Sequence, residues 1–229
     1  MEAAILSLSP GTEALQPKEI SPNVYRAELE NATVLRARVV MPLSGSAAAQ
    51  ENAALAAAQF QNVRLEAGER LSFNQTVGLR TDESGYVQAE EAAYGQDISG
   101  IGGGVCQVST ALYRLALLGG LEVAERSAAV YPVPYCEAGQ EAAVSDQGLD
   151  LVFVNNTQTP LFLTARVYGT DDGQTMELQL IGQPTDGRFA LESEIETIDA
   201  PDEPVYVRDS EGRYATYTDE RIPVGEAMP

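Results

Sequence analysis

The 229-residue sequence predicts an α+β fold in which antiparallel strands pack around one central helix. Three observations favour this fold class. Residues 105–118 follow three consecutive glycines and place their apolar side chains on one side of a helical wheel. Residues 46–61 are rich in alanine, the strongest helix former. Residues 149–182 contain apolar runs and a tight-turn segment, a pattern typical of three antiparallel strands.

The N-terminal elements are predicted from periodicity and capping. Residues 24–42 indicate one or two strands, with period-two alternation in their second half. Ser46 is a suitable N-cap for the alanine-rich helix. Residues 63–75 predict two strands joined by a turn at Ala67 and Gly68.

The central helix is predicted to begin near Val105 and to end at Gly119 and Gly120. One arc of the helix is apolar and should face the core; it comprises Val108, Ala111, Leu112, Leu115 and Ala116. The opposite arc carries a thiol and three hydroxyls, those of Cys106, Ser109, Thr110 and Tyr113.

The C-terminal region is predicted to contain further strands. Residues 188–198 alternate as a strand, and the acidic tail 199–229 has short strand-like pieces that suggest a hairpin appendage or the start of a following module. We therefore divide the chain into a lead-in with strands, a main domain and a C-terminal appendage, at residues 1–44, 45–182 and 183–229.

Charge and composition exclude several function classes. The formal net charge is −20, spread along the chain without a basic cluster, so the surface repels nucleic acid and anionic membranes. The sequence contains no histidine, which removes the commonest general base and zinc ligand. We expect neither a metal nor a cofactor.

The compartment is not fixed by the sequence. No run approaches the roughly 18 apolar residues of a membrane-spanning helix. The N-terminal segment lacks the basic residues of a signal peptide, so the chain is either cytoplasmic or has lost a leader. The two cysteines, Cys106 and Cys136, could pair or remain thiols.

The segment from Gly102 to Cys106 is the candidate reactive site. A cysteine at a helix N-terminus lies where unpaired N–H groups and the helix dipole stabilise a thiolate. The glycines would let a substrate approach, and their N–H groups could form an oxyanion hole, which together outline an acyl-transfer site. The alternative is structural: Cys106 is a small buried side chain, and the glycines allow a strand and a helix to cross closely.

Four segments resemble the VanW family of bacterial cell-envelope proteins. They are LSFNQTVGLRTDESGY, GIGGGVCQVSTALYRLALLGGLEVAER, PVPY and LDLVFVNNT, and the resemblance covers roughly residues 45–182. Members are typically exported or membrane-anchored. Some VanW-like domains are thought to be cysteine-dependent L,D-transpeptidases that join peptidoglycan stem peptides through an acyl-enzyme. The resemblance therefore implies an extracellular or cell-envelope location, with the export signal or anchor missing from this chain, and peptidoglycan stem peptides as partners.

The resemblance also implies roles for individual residues. Cys106 would be the nucleophile. Either Arg80 or Arg126 could bind a substrate carboxylate through two parallel hydrogen bonds from its guanidinium. Other matched or neighbouring positions would shape the substrate site: Gly103, Gly104, Gln107, Ser109, Thr110, Tyr113, Glu83, Tyr86 and Glu141. Each arginine could equally form a structural ion pair.

The sequence departs from the family pattern at the expected base. Ala129 stands where the family usually has histidine, and Glu141 replaces an aspartate. Without histidine the usual Cys–His relay cannot form, which leaves Glu141, Asp150 or Tyr135 as substitutes. A catalytically inactive peptidoglycan-binding or scaffolding domain is the alternative function. A papain-like or transglutaminase-like hydrolase ranks last, because it also requires histidine.

Overall fold

The computed structural model describes residues 34–93, 96–129, 133–137, 139–170, 173–185, 187, 189–191, 205–208 and 214–217. For residues 90–93, 96–99, 205–208 and 214–217 only the backbone is described. The helices are α1 (Ala47–Ala58), α2 (Phe73–Val77) and α3 (Val105–Leu118), with a 3-10 helix at Asp82–Ser84. The strands are β1 (Val34–Pro42), β2 (Val63–Leu65), β3 (Arg70–Ser72), β4 (Gln88–Ala93), β5 (Gln96–Ile101), β6 (Glu122–Glu125), β7 (Val152–Val154), β8 (Leu161–Thr170), β9 (Gly173–Gly182), β10 (Val205–Arg208) and β11 (Tyr214–Tyr217).

The strands form antiparallel sheets, which confirms the predicted α+β class. A four-stranded sheet has the order β1-β9-β8-β2, and a three-stranded sheet has the order β3-β7-β6. Two hairpins, β4-β5 and β10-β11, complete the described strands. β1 lies in the predicted lead-in region but pairs with β9 from Val34 to Pro42, with a register shift between Leu35 and Ala37.

The hydrophobic core lies between the four-stranded sheet and two helices. Helix α1 contacts β8 and β9, α3 contacts β1 and β9, and the two helices contact each other. The apolar arc predicted for α3 is confirmed, because all five of its residues are at most 1% exposed. Burying a leucine or valine side chain contributes roughly 1.5–3 kcal/mol, so this arc is a main reason why α3 lies on the sheet.

Both long helices begin where the sequence predicted, and α3 also ends there, but α1 ends at Ala58, before the predicted end at Gln61. The Ser46 side chain caps α1 by accepting a hydrogen bond from the Ala49 N–H at 3.2 Å. Helix α3 extends from Val105 to Leu118, and Gly119 forms its C-cap. The hairpin pieces of the tail are also present as β10 and β11, paired from Val205–Tyr217 to Arg208–Tyr214.

The prediction for residues 63–75 was wrong at its end. Residues 73–75 were predicted as strand but form the start of α2, since the Ser72 side chain accepts from the Gln75 N–H and caps a helix. Phe73 then turns into the core, where its ring lies 5.4 Å from that of Phe60. The strand predicted at 188–198 lies mostly outside the described residues, and 189–191 are not strand.

The face of the four-stranded sheet away from the helices carries a buried carboxylate. Glu177 is 1% exposed and pairs with Arg38 Nε at 2.7 Å and Arg166 Nη2 at 2.6 Å. Gln179 is a third partner, and its Nε2 donates a hydrogen bond to the carboxylate at 2.6 Å. The hydrogen bond from Arg38, followed by that from Arg166, lowers the pKa of Glu177 to about 2 despite its burial. This group ties β1, β8 and β9 together.

Candidate active site at the N-terminus of helix α3

The glycine loop before α3 is required by a close approach of two backbones. Gly104 has φ +100° and forms the N-cap of α3 without a side-chain cap. A Cβ atom at Gly104 would lie 2.1 Å from the carbonyl oxygen of Ala49 in α1. Only glycine fits at this position, because both the backbone angle and the space exclude a side chain. The close crossing at Gly104 is therefore between the start of α3 and helix α1, and not between a strand and a helix.

Asn52 of α1 holds the same loop by hydrogen bonds, and it was not among the predicted site residues. Its side-chain amide donates to the carbonyl oxygens of Val87, at 2.8 Å, and Gly103, at 2.9 Å. Its carbonyl oxygen accepts from the Val87 N–H at 2.9 Å. The sequence signal was an asparagine within an alanine-rich helix. Its burial is known only from the structure, where such a group must be hydrogen-bonded.

The glycine N–H groups proposed for an oxyanion hole make backbone hydrogen bonds. Gly102 N donates to the Val87 carbonyl oxygen at 3.2 Å, and Gly103 N donates to that of Gly100 at 3.4 Å. The second bond is long, so the Gly103 N–H is the more available of the two donors.

Cys106 lies in the first turn of α3 and lines an open cleft. Its side chain is half-buried, and its Sγ donates a hydrogen bond to the Val144 carbonyl oxygen at 3.6 Å. The cleft measures about 250 Å³. It is lined by Arg80, Gly100, Ile101, Gly102, Gly103, Val105, Cys106, Val144, Ser145, Asp146 and Gln147.

The remaining polar residues of α3 hold neighbouring chain segments. Ser109 Oγ donates to the Ala142 carbonyl oxygen at 2.6 Å, and Thr110 Oγ1 accepts from the Ala142 N–H at 3.1 Å. Gln107 makes three hydrogen bonds to Ser44, which fix the connection between β1 and α1. All three side chains are buried, and none is among the residues that line the cleft.

Arg80 lines the cleft, but its guanidinium is engaged by two protein partners. Nη2 lies 2.5 Å from Asp146 Oδ1, and Nη1 donates to Asn74 Oδ1 at 2.9 Å. Tyr86 is buried near this pair. Burial raises its pKa, Arg80 opposes the rise and Asp146 adds to it. Asp146 was not among the predicted site residues.

Glu83 lies on the 3-10 helix and is exposed. A hydrogen bond with the Thr81 side chain, together with one from its own backbone, lowers its pKa. Neither Glu83 nor Tyr86 lines the cleft.

A second cluster contains Arg126, Glu141 and Tyr113. Arg126 donates to the Glu141 carbonyl oxygen at 2.7 Å and to its carboxylate at 3.1 Å, and its guanidinium lies 5.2 Å from the centre of the Tyr113 ring. Cys136 lies near this cluster, where burial and then the Glu141 charge raise the pKa of its thiol to about 11. These residues are not among those that line the cleft beside Cys106.

Two of the substitute bases proposed for the missing histidine are engaged in structural contacts. Asp150 accepts from Ser72 Oγ at 2.5 Å and from the backbone N–H groups of Asn74 and Leu151. Glu141 is paired with Arg126. The third, Tyr135, is half-buried.

Comparison with known proteins identifies the family. The family model described as "VanW like protein" matches residues 48–179, which is more than half of the chain. The chain belongs to the VanW-like family. Membership in this family supports a cell-envelope protein as the broad functional class.

A relative is similar in sequence to part of this chain. The uncharacterized protein YoaR of Bacillus subtilis (strain 168) is 36% identical over 126 residues, which cover 55% of this chain and 42% of the relative. The chain thus spans less than half the length of this VanW-like relative. No solved structure matches the chain significantly.

In the part of the chain that the structure describes, no helix is both long and apolar enough to cross a membrane. Nor does that part contain a cluster of three His, Cys, Asp or Glu side chains arranged to hold a metal ion.

Proposed function

We propose that this VanW-like chain acts on peptidoglycan stem peptides by acyl transfer through Cys106, in the manner of an L,D-transpeptidase. The observation that carries the proposal is the placement of the Cys106 thiol, in the first turn of a 14-residue helix and at the wall of an open cleft. The positive end of the helix dipole favours a thiolate at this position.

The proposed reaction has two steps. The Cys106 thiolate attacks a backbone carbonyl carbon of the donor peptide, the C–N bond breaks, the departing amine takes up a proton from water in the open cleft, and a thioester to Sγ remains. An amine of a second stem peptide then attacks the thioester carbon, forms the new amide and returns the sulfur as a thiol.

The cleft suits a small part of such a peptide. Its volume of about 250 Å³ is slightly below the range of roughly 300–1,000 Å³ that is usual for small-molecule sites. It would therefore enclose one or two residues around the reacting bond, with the rest of the ligand outside. Backbone atoms of Gly100 to Gly103 and the polar side chains of Ser145 and Gln147 supply uncharged contacts for a peptide.

The alternative proposal is a peptidoglycan-binding domain without turnover. Two observations favour it. The sequence has no histidine, and the carboxylates of Asp150 and Glu141 are held by structural partners.

One experiment distinguishes these proposals. The protein is incubated with purified disaccharide-tetrapeptide, and intact-mass and peptide mass spectrometry then measure an acyl adduct on Cys106. Cys106→Ala should abolish the adduct, and Cys136→Ala, the matched control, should retain it. Binding of the same fragment without an adduct, unchanged in Cys106→Ala, would support the inactive binding domain. Absence of both binding and adduct would contradict both proposals.

We further propose that the full-length protein is exported or held at the cell envelope. Fractionation of cells that express the full-length protein tests this location. Recovery of the protein only in the cytoplasmic fraction would contradict it.

A further inference from the structure

Arg80 contacts both walls of the Cys106 cleft. Its side chain is 6% exposed. On one side its aliphatic stem lies against the glycine loop, since a Cβ atom at Gly102 would be 3.0 Å from the Arg80 Cβ. Gly102 also has a φ of +81°, which side chains rarely adopt. The loop can therefore lie this close to Arg80 only because residue 102 is glycine.

On the other side, Arg80 binds the turn that follows Val144. Besides the Nη2 contact with Asp146, the Arg80 backbone N–H donates to Asp146 Oδ2 at 3.2 Å. Asn74 accepts from the Arg80 guanidinium and itself donates to the carbonyl oxygens of Ser145, at 3.1 Å, and Leu149, at 2.8 Å. The turn at 145–149 is therefore tied to the segment that carries Arg80.

Val144 lies between two anchored residues. On its N-terminal side, Ala142 is held on α3 by Ser109 and Thr110. On its C-terminal side, Asp146 is held by Arg80. The Val144 carbonyl oxygen, which accepts from the Cys106 Sγ, is two residues from either anchor. The backbone cannot shift this oxygen far while both anchors hold.

We propose that the Arg80–Asp146 ion pair positions the Cys106 thiol, by fixing the Val144 carbonyl oxygen and the separation of the two cleft walls. Arg80 is then a positioning residue, and its guanidinium does not bind a substrate carboxylate. A role of the Arg80–Asp146 ion pair in turnover depends on the proposed function. Its effect on the position of the Cys106 thiol does not depend on that function.

The structure predicts whether loss of the Arg80–Asp146 ion pair raises or lowers the reactivity of the Cys106 thiol. When the ion pair is lost, the turn at 145–147 loosens and Val144 no longer holds the thiol, so Sγ becomes more open to a small reagent. A role in general stability alone would affect Cys136 as well, since global unfolding exposes both thiols.

The test measures the rate constants of alkylation of Cys106 and Cys136 by iodoacetamide, resolved by peptide mass spectrometry. In Asp146→Asn we expect the Cys106 rate to rise by about fivefold or more, while the Cys136 rate changes less than twofold. Asp146→Glu, which keeps the carboxylate, should return the Cys106 rate most of the way to the wild-type value. Glu66→Gln is the matched control, because it makes the same chemical change in the Arg64–Glu66 pair on the surface near β2.

Three outcomes would overturn the inference. They are an unchanged Cys106 rate in Asp146→Asn, parallel changes at both cysteines, and an equal change in Glu66→Gln. If Asp146→Asn does not fold, Arg80→Lys provides the same measurement, because lysine keeps the charge but cannot reach Asn74 and Asp146 together. The acyl-adduct experiment on the wild-type protein is a separate measurement. If no adduct forms, the proposed function is contradicted, but the alkylation rates still test whether the ion pair positions the thiol.

Discussion

The Sγ of Cys106 lies 3.6 Å from the carbonyl oxygen of Val144, so the thiol at the start of α3 is held by the segment that forms the opposite wall of its cleft. Cys136 is in a different environment, where burial and the charge of Glu141 raise the pKa of its thiol to about 11. Two half-buried thiols in one chain thus differ in the groups around them.

We expect Cys106 to be alkylated at least about tenfold faster than Cys136 near neutral pH. With a pKa of about 11, roughly one Cys136 thiol in ten thousand is ionised at pH 7, whereas the helix N-terminus favours the Cys106 thiolate. Iodoacetamide labelling followed by peptide mass spectrometry measures both rates. Cys106→Ala and Cys136→Ala assign the two signals, and equal rates would contradict the expectation.

The charge of the reagent should matter at Cys106. Arg80 is neutralised by Asp146, the Asp146 side chain is 32% exposed, and the whole chain carries −20. We expect a cationic methanethiosulfonate to modify Cys106 about three- to tenfold faster than an anionic one at low salt, after correction for their rates with 2-mercaptoethanol. The ratio should shrink at about 0.5 M salt, because screening weakens the field. Faster reaction of the anionic reagent would indicate that an available cation lies in the cleft.

Local patterns in the sequence were sufficient to predict the helices that carry the site. The glycines on both sides of residues 105–118 and one apolar arc determine where α3 lies and which face is buried. Ser46 similarly marks the start of α1. These signals depend only on residues that are close in the sequence, so tertiary packing does not change the helix boundaries that they predict.

Features that depend on contacts between residues distant in the sequence could not be predicted from the sequence. The segment from Gln88 to Ala93 is rich in alanine and glutamate, yet it forms β4 because it pairs with β5. Ser109 and Thr110 were placed on a polar arc, but only the fold shows that Ala142 covers them. Asp146 has the sequence context of an ordinary turn residue, and its partner Arg80 is 66 residues away.

Thr110→Val should destabilise the protein by about 1–3 kcal/mol. Valine has nearly the same shape but cannot accept a hydrogen bond, so the Ala142 N–H would be left buried without this partner. Urea unfolding followed by circular dichroism measures the loss. Thr170→Val is the control, because the Thr170 hydroxyl donates an exposed hydrogen bond to the Gly173 carbonyl oxygen at the end of β8. Similar losses in the two variants would show that the contact with Ala142 carries no special weight.

Glu177→Gln should destabilise the protein at neutral pH by about 2 kcal/mol. The two arginines lower the pKa of Glu177 to about 2, so its carboxylate contributes stability that is fully present above the ordinary glutamate pKa and is lost as pH falls through the folded value. The difference between wild type and variant should therefore be constant from about pH 7 to pH 5 and shrink between about pH 4.5 and pH 2. Urea unfolding at several pH values measures it. A difference independent of pH would mean that the charge of Glu177 is not what stabilises the sheet.

Gly104→Ala tests the reason for the glycine loop. The added methyl group would occupy space 2.1 Å from the Ala49 carbonyl oxygen, at a residue whose φ is +100°. Because α1 and α3 are both packed on the sheet, neither can withdraw without opening the core, so we expect a loss of at least about 3 kcal/mol in the free energy of unfolding.

Gly68→Ala separates the two causes of that loss. Gly68 also has a positive φ, +78°, but a Cβ atom there would meet nothing within 4 Å. Its substitution should cost only about 1 kcal/mol, which is the backbone cost alone. Urea unfolding of both variants gives the difference that belongs to the contact with Ala49. Equal losses would mean that the two backbones are not held together as closely as the structure places them, and that Gly104 is required only for its conformation.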